Sequence, residues 1–222
     1  MDKIGVVGCG LMGAGIAEVC ARAGSDVVVV ESSQERAEAG RGRLEKSLRR
    51  AEERGRLDSA DAALERIRVV TDLGELADRD MVVEAIVEDE TAKVELFKQL
   101  DEIVESQDAI LASNTSSIPI MKLATVTKRP GNVLGVHFFN PVPVLKLVEL
   151  VPSLMTEEET TERARAYVDG QLGKHAITCQ DRAGFVVNSL LIPFILSAIR
   201  MYESGFATAE DIDQGFVLGA AH

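Results

Sequence analysis

The chain lacks the raw material of several protein classes. It has three cysteines in 222 residues, Cys9, Cys20 and Cys179, with no CxxC pair and no histidine cluster beside them. That excludes a disulfide scaffold and a metal centre from the expected chemistry, and reads as free thiols of a reducing compartment. Positive charge is also scarce. The 24 Lys and Arg against 36 Asp and Glu leave a net charge of −12 and a pI near 4.8, where nucleic-acid binding needs a basic face. No long apolar run is present. The most apolar stretch, FVVNSLLIPFILSAI from Phe185, is fifteen residues long and holds an Asn, two Ser and a Pro, which is short for a membrane span. The first strand pattern, KIGVVGCG, follows Met1-Asp2 with no apolar leader or cleavage site. The chain therefore reads as soluble and cytoplasmic. Internal repeats and low-complexity tracts are absent as well.

What is present is a core-forming composition, 46% apolar and 27% charged, in an alternating order. Strand patterns (residues 4–7, DVVVVE, IRVVTD, DMVVEAI, AILAS) alternate with helical ones (12–23, 33–55, a short stretch to 66, 91–105), as in a parallel α/β sheet. The 91–105 helix is expected to bury Val94, Phe97, Leu100, Ile103 and Val104. NVLGVHFF and LKLVELV follow as two strands around the turn NPVPV, then a helix over 157–172 and a last strand, KHAITC. After DRAG, helical patterns at 185–202 and in TAEDIDQGFVLGA come with no strand between them. The fold expected is α/β: a Rossmann-type dinucleotide-binding domain over residues 1–183, then the start of an all-α C-terminal domain over 184–222.

The dinucleotide reading rests on Gly8-x-Gly10-x-x-Gly13. It follows a strand, opens a helix, and precedes a second strand that ends in Glu31. The spacing alone is weak; the context is specific. Gly8 permits a tight turn, Gly10 lets a pyrophosphate approach the backbone at a helix N-terminus, and Gly13 lets helix and strand pack closely. Glu31 would accept from ribose hydroxyls and repel a 2′-phosphate, favouring NAD over NADP.

Three further features each have a functional and a structural reading. A hairpin between the two late strands can bring Glu149 beside His137, giving a base with its orienting carboxylate or a satisfied structural pair. The loop ASNTSSIPI places Asn114, Thr115, Ser116 and Ser117 at a strand's carboxyl end, where α/β ligands bind; the same residues can cap the helix that IPIMKLA begins. Residues 41–56 carry seven Lys/Arg and three Glu, a net +4. They form either a polyanion contact or a solvated helix face.

Taken together, GCGLMGAGIA, VVEAIVED, LASNTSSIPI, GVHFFNPVPVLKLVELV and DRAGFVVNSLL resemble the short-chain L-3-hydroxyacyl-CoA dehydrogenase family, including its bacterial 3-hydroxybutyryl-CoA type. The resemblance runs through the whole chain. It implies His137 as general base, Glu149 as its orienting acid, and Ser116 and Asn188 as holders of the substrate oxygens. It implies Gly8, Gly10, Leu11, Met12, Gly13 and Glu31 around the adenosine and pyrophosphate of NAD, with Glu88, Lys93 and Asn114 toward the nicotinamide ribose. Ser47, Arg54 and Ser116 match its coenzyme A contacts. An acyl-CoA substrate, a short-chain preference and a homodimer through the helical domain are likewise implied. The family continues past LGAAH with a further helical segment, so the chain looks truncated. A non-catalytic NAD-binding relative of crystallin type and a dehydrogenase of free 3-hydroxy acids are the alternatives; GFVVNSLL lacks the lysine the latter class uses.

Overall fold

In the computed structural model, which describes residues 1–221, the KIGVV run forms β1 (Lys3–Val7) near the middle of an eight-stranded sheet. His222 lies outside the described residues. β1 and β2 (Asp26–Val30) each bury four of their five residues, because helices cover both faces of a parallel sheet and its strands become near-continuous apolar runs. α1 (Leu11–Arg22) joins them. α2 (Gln34–Glu53) and α3 (Ala60–Leu64) lead to β3 (Ile67–Val70), and β4 (Met81–Glu84), α4 (Glu90–Ile103) and β5 (Ile110–Ser113) repeat the pattern. After the short α5 (Ile120–Ala124) come β6 (Val133–Phe138), β7 (Leu147–Pro152), α6 (Glu158–Ala166) with a π-helical turn at Tyr167–Gln171, and β8 (His175–Thr178).

The strand order is β3-β2-β1-β4-β5-β6-β7-β8. Every pair is parallel except β6–β7. The order reverses between β1 and β4, which opens a crevice beyond the carboxyl ends of these strands. Two thiols are buried in the core: burial pushes Cys9 up to about 11 and Cys20 up to about 12.

Three local expectations change. A 3₁₀ turn at Leu73–Leu76 has no counterpart in the sequence pattern. The buried face of α4 is rotated: Lys93, Leu96, Phe97, Leu100 and Asp101 are buried, whereas Val94 and Ile103 are only half-buried. The cause is electrostatic. Lys93 meets two carboxylates, and Asp101 holds the Arg129 guanidinium at 2.8 Å. Finally, the Asn114–Ser117 loop does not cap α5. Its N-cap is Pro119, and the Asp181 carboxylate accepts the N–H groups of Ile120 and Met121 at 2.9 and 2.8 Å.

The chain divides into Met1–Ala183, which holds the sheet, and Gly184–His222. The second unit is two helices, α7 (Val187–Glu203) and α8 (Ala209–Gly219), with Phe194 and Phe216 edge-on at 4.5 Å. Neither helix contains a buried residue, and Leu190, Ile192 and Leu218 are exposed. Among the described residues, no helix is long and apolar enough to cross a membrane.

Candidate active site

The three motif glycines divide by role. Gly8 has φ +96°, and a Cβ there would lie 2.6 Å from the carbonyl oxygen of Ala85. A Cβ on Gly13 would fall 1.9 Å from the carbonyl oxygen of Gly8. Both are packing glycines. At Gly10 a Cβ would meet nothing within 4 Å, so this glycine faces open space. α1 starts there with no side-chain cap and no acid in its first turn. The N–H groups of Leu11, Met12 and Gly13 are among those a helix leaves without intrahelical partners, and the helix dipole adds attraction for an anion. Glu31, just past β2, is held in place: its carboxylate accepts the Cys9 N–H at 2.6 Å and the Ser32 N–H at 3.1 Å. A cavity of about 440 Å³ runs beside it, lined by Gly8, Gly10, Glu31, Arg36, Ile86 and Val87. An uncapped helix, an open glycine and a rim carboxylate on a largely apolar cavity fit NAD.

The His–Glu pair follows from strand register. β6 and β7 pair antiparallel with His137 opposite Glu149, and cross-strand partners lie close enough for side chains to meet. Here Nδ1 of His137 and a Glu149 carboxylate oxygen are 2.8 Å apart. Glu149 is fully buried, and His137 is 7% exposed. The imidazole also stands edge-on to Phe139, at 4.6 Å. With Nδ1 committed to Glu149, proton transfer falls to Nε2.

At the carboxyl ends of β4 and β5, two acids and a lysine tie the strand ends together. Lys93, although on a helix, is 1% exposed. Its ammonium lies 3.0 Å from Glu84 and 2.7 Å from Glu88. Glu88 also accepts from the Thr115 hydroxyl, the Ser116 N–H at 3.1 Å and the Ser117 hydroxyl at 3.0 Å. Burial raises the Glu88 pKa, but the Lys93 ammonium and the hydroxyl donors outweigh it and hold it at about 2. Glu84 goes the other way: burial pushes its carboxyl above the usual range, against the pull of Lys93 and Ser113. Asn114 accepts the Phe138 N–H through its side-chain oxygen at 2.8 Å, so the loop after β5 is fastened to the strand that carries His137.

The sequence-predicted residues thus fall into groups. Gly8, Gly10 and Glu31 share the coenzyme cavity, Gly13 packs α1 against the Gly8 carbonyl outside its lining, and His137 pairs with Glu149. Glu88, Lys93 and Ser116 belong to one network, with Asn114 in the same loop. Ser47 lines a separate cavity of about 250 Å³ between α1, α2 and the Asn140–Pro143 turn, and its hydroxyl donates to Glu18 at 2.5 Å. Arg43, Lys46 and Arg50 line that cavity as well; Arg54, the basic residue expected there, is not among its lining residues and caps the exposed end of α2. Asn188 is the second residue of α7, half-buried, in the second unit. Sequence reading missed Glu84 and Ser113, and it placed Thr115 in the loop without its bond to Glu88. The available signals were a glutamate closing an apolar strand, DMVVE, and a lysine on the inner side of α4.

The strand order, the glycine-loop helix and the His–Glu pair define a doubly wound dinucleotide-binding protein equipped for proton transfer. The family model for the 3-hydroxyacyl-CoA dehydrogenase NAD binding domain matches residues 3–182, and that for the same family's C-terminal domain matches 184–222. The chain belongs to the 3-hydroxyacyl-CoA dehydrogenase family, and its N-terminal unit is that family's NAD-binding domain. It is 54% identical to a 3-hydroxybutyryl-CoA dehydrogenase of Mycobacterium tuberculosis over all of this chain and 78% of the relative. Human mitochondrial hydroxyacyl-coenzyme A dehydrogenase is 42% identical, over 100% of this chain and 73% of its own. The crystal structure of M. tuberculosis FadB2 superposes with a TM-score of 0.98 at 54% identity, covering all of this chain and 79% of that one. (S)-3-hydroxybutyryl-CoA dehydrogenase PaaH1 of Ralstonia eutropha gives 0.94 at 43% identity, covering 99% and 77%.

Proposed function

We propose that the chain catalyses the reversible NAD-dependent oxidation of (S)-3-hydroxyacyl-CoA to 3-oxoacyl-CoA, with 3-hydroxybutyryl-CoA among its substrates. The observation that carries this reading is the 2.8 Å His137–Glu149 pair, at the carboxyl end of β6 on the same side of the sheet as the glycine loop. NAD, when bound, supplies the two-electron acceptor for the hydrogen leaving C3. His137 takes the C3 hydroxyl proton at Nε2. Glu149 fixes the imidazole tautomer through Nδ1 and stabilises the imidazolium that forms. Ser116 and Asn188 donate to the substrate oxygens, where charge develops. In the reductive direction His137 returns the proton to the 3-oxo oxygen. Arg43, Lys46 and Arg50, beside Ser47, give an otherwise acidic chain a local seat for the coenzyme A phosphates. Arg54 is the weaker candidate, lying outside that cavity. The names of the bacterial relatives support the four-carbon substrate. The same reading makes the protein a cytoplasmic homodimer associated through its helical unit.

The test is NADH consumption with acetoacetyl-CoA by the chain and its His137→Ala variant, with NADPH as control. Turnover that disappears in the variant, with NADPH a poor substitute, is the expected result. Undiminished turnover in the variant removes His137 from the mechanism.

A further inference from the structure

We infer that Glu84 is a positioning residue which, through Lys93 and Ser113, holds the Ser113–Ser117 loop, and Ser116 with it, in working register. This rests on the dehydrogenase reading of the site. Glu84 is a fully buried carboxylate that the proton-transfer chemistry does not use. Nothing in β4 requires it: the rest of the strand is Met81, Val82 and Val83, all buried and apolar. An ion pair at such depth is seldom the most stable option, since apolar packing of similar volume is often neutral or better. Its placement suggests another use.

Glu84 ends β4 at the crevice and reaches three segments at once. One carboxylate oxygen accepts the Ile86 N–H at 2.8 Å, next to the wall of the coenzyme cavity, and meets the Lys93 ammonium at 3.0 Å. The other accepts the Ser113 hydroxyl at 2.6 Å. Ser113 in turn accepts the Thr115 N–H at 3.2 Å, and Lys93 anchors Glu88, which grips the Ser116 N–H. The backbone carbonyl of Glu84 takes the Asn114 N–H at 2.9 Å. Ser116 is therefore fixed from two sides, by Ser113–Thr115 and by Lys93–Glu88, and both lines lead back to Glu84. A ligand-contacting serine in a loop gains precision from such support, because small misplacements at a reacting centre are costly.

Glu84→Gln keeps the shape and the Ile86 bond but removes the charge from Lys93. Ser113→Ala severs only the Ser113–Thr115 line. With acetoacetyl-CoA and NADH, kcat of Glu84→Gln is expected to fall about tenfold to a hundredfold, and that of Ser113→Ala by less. The NADH Kd, read by fluorescence, stays within about threefold in both. Because Glu84 acts through Ser116, the Glu84→Gln/Ser116→Ala double variant loses no more than Ser116→Ala alone. Unchanged kcat, additive losses, or a parallel collapse of kcat, NADH affinity and Tm overturns the inference. If Glu84→Gln does not fold, the Ser113→Ala/Ser116→Ala cycle decides by the same additivity criterion. A wild-type chain without turnover sinks the functional reading itself; wild-type turnover with an unaffected variant sinks only this inference.

Discussion

His137 and Glu149 face each other across the antiparallel pair β6–β7, and their side chains meet at 2.8 Å in a setting where Glu149 is fully buried. Register alone makes this contact; a slip of either strand by one residue would send its side chain to the other face of the sheet, away from its partner. Glu149→Gln keeps the volume and removes the charge that stabilises the imidazolium. It is expected to lower kcat by about two to four orders of magnitude, with little change in KM for NADH. Steady-state rates at saturating NADH check this, and a loss below tenfold would demote Glu149 to a structural partner.

The motif glycines separate cleanly by experiment. Gly13→Ala drives a Cβ to 1.9 Å from a backbone oxygen, and overpacking of this kind costs about 1–3 kcal/mol or more. Gly10→Ala meets no protein atom, so Tm should hardly move. NADH affinity should drop about tenfold or more, near 1.4 kcal/mol, since the methyl group occupies the space open to a phosphate. Thermal melts paired with NADH titrations of the two variants distinguish these outcomes.

The parallel sheet was legible because its strands are short apolar runs between turn signals, and DVVVV has no other plausible role beside a glycine loop. The catalytic hairpin was visible as a possibility only, since spacing permits a His–Glu contact and only register makes it. The burial of Lys93 and Asp101 was not legible, because a helical wheel assigns charges to solvent. Their burial depends on Glu84, Glu88 and Arg129, which sit at least five residues away in sequence. For the same reason Asp181 was invisible as the acceptor at the start of α5: it lies about sixty residues downstream.

Asp181→Ala tests that long-range cap. Loss of the acceptor for Ile120 and Met121 should cost about 0.5–2 kcal/mol, the usual range for a helix cap. Urea midpoints should fall accordingly while NADH Kd stays unchanged. An unaltered midpoint would mean that water serves the α5 N-terminus equally well.

Glu88 sets a pH dependence of stability. Its carboxyl is held at about 2 against an ordinary value of 4.5. A depressed carboxylate stabilises the fold fully above the unfolded value and loses that contribution as pH falls through the folded one. The stability gap between wild type and Glu88→Gln should therefore be largest at neutral pH and close between about pH 4.5 and about 2. The gap should be modest, because the side chain is 40% exposed and solvent screens it. Urea unfolding at several pH values reads it directly, and a gap independent of pH would contradict the assignment.

The depth of Cys9 and Cys20 gives the chain an unplanned labelling chemistry. Thiols pushed up to about 11 and about 12 stay protonated at neutral pH, and alkylating reagents need the thiolate. Cys179, half-buried just after β8, is the remaining thiol and stands four residues before the division at Ala183. A maleimide dye added to the unaltered protein is therefore expected to leave Cys9 and Cys20 unlabelled, and their slow modification then reports opening of the core around α1.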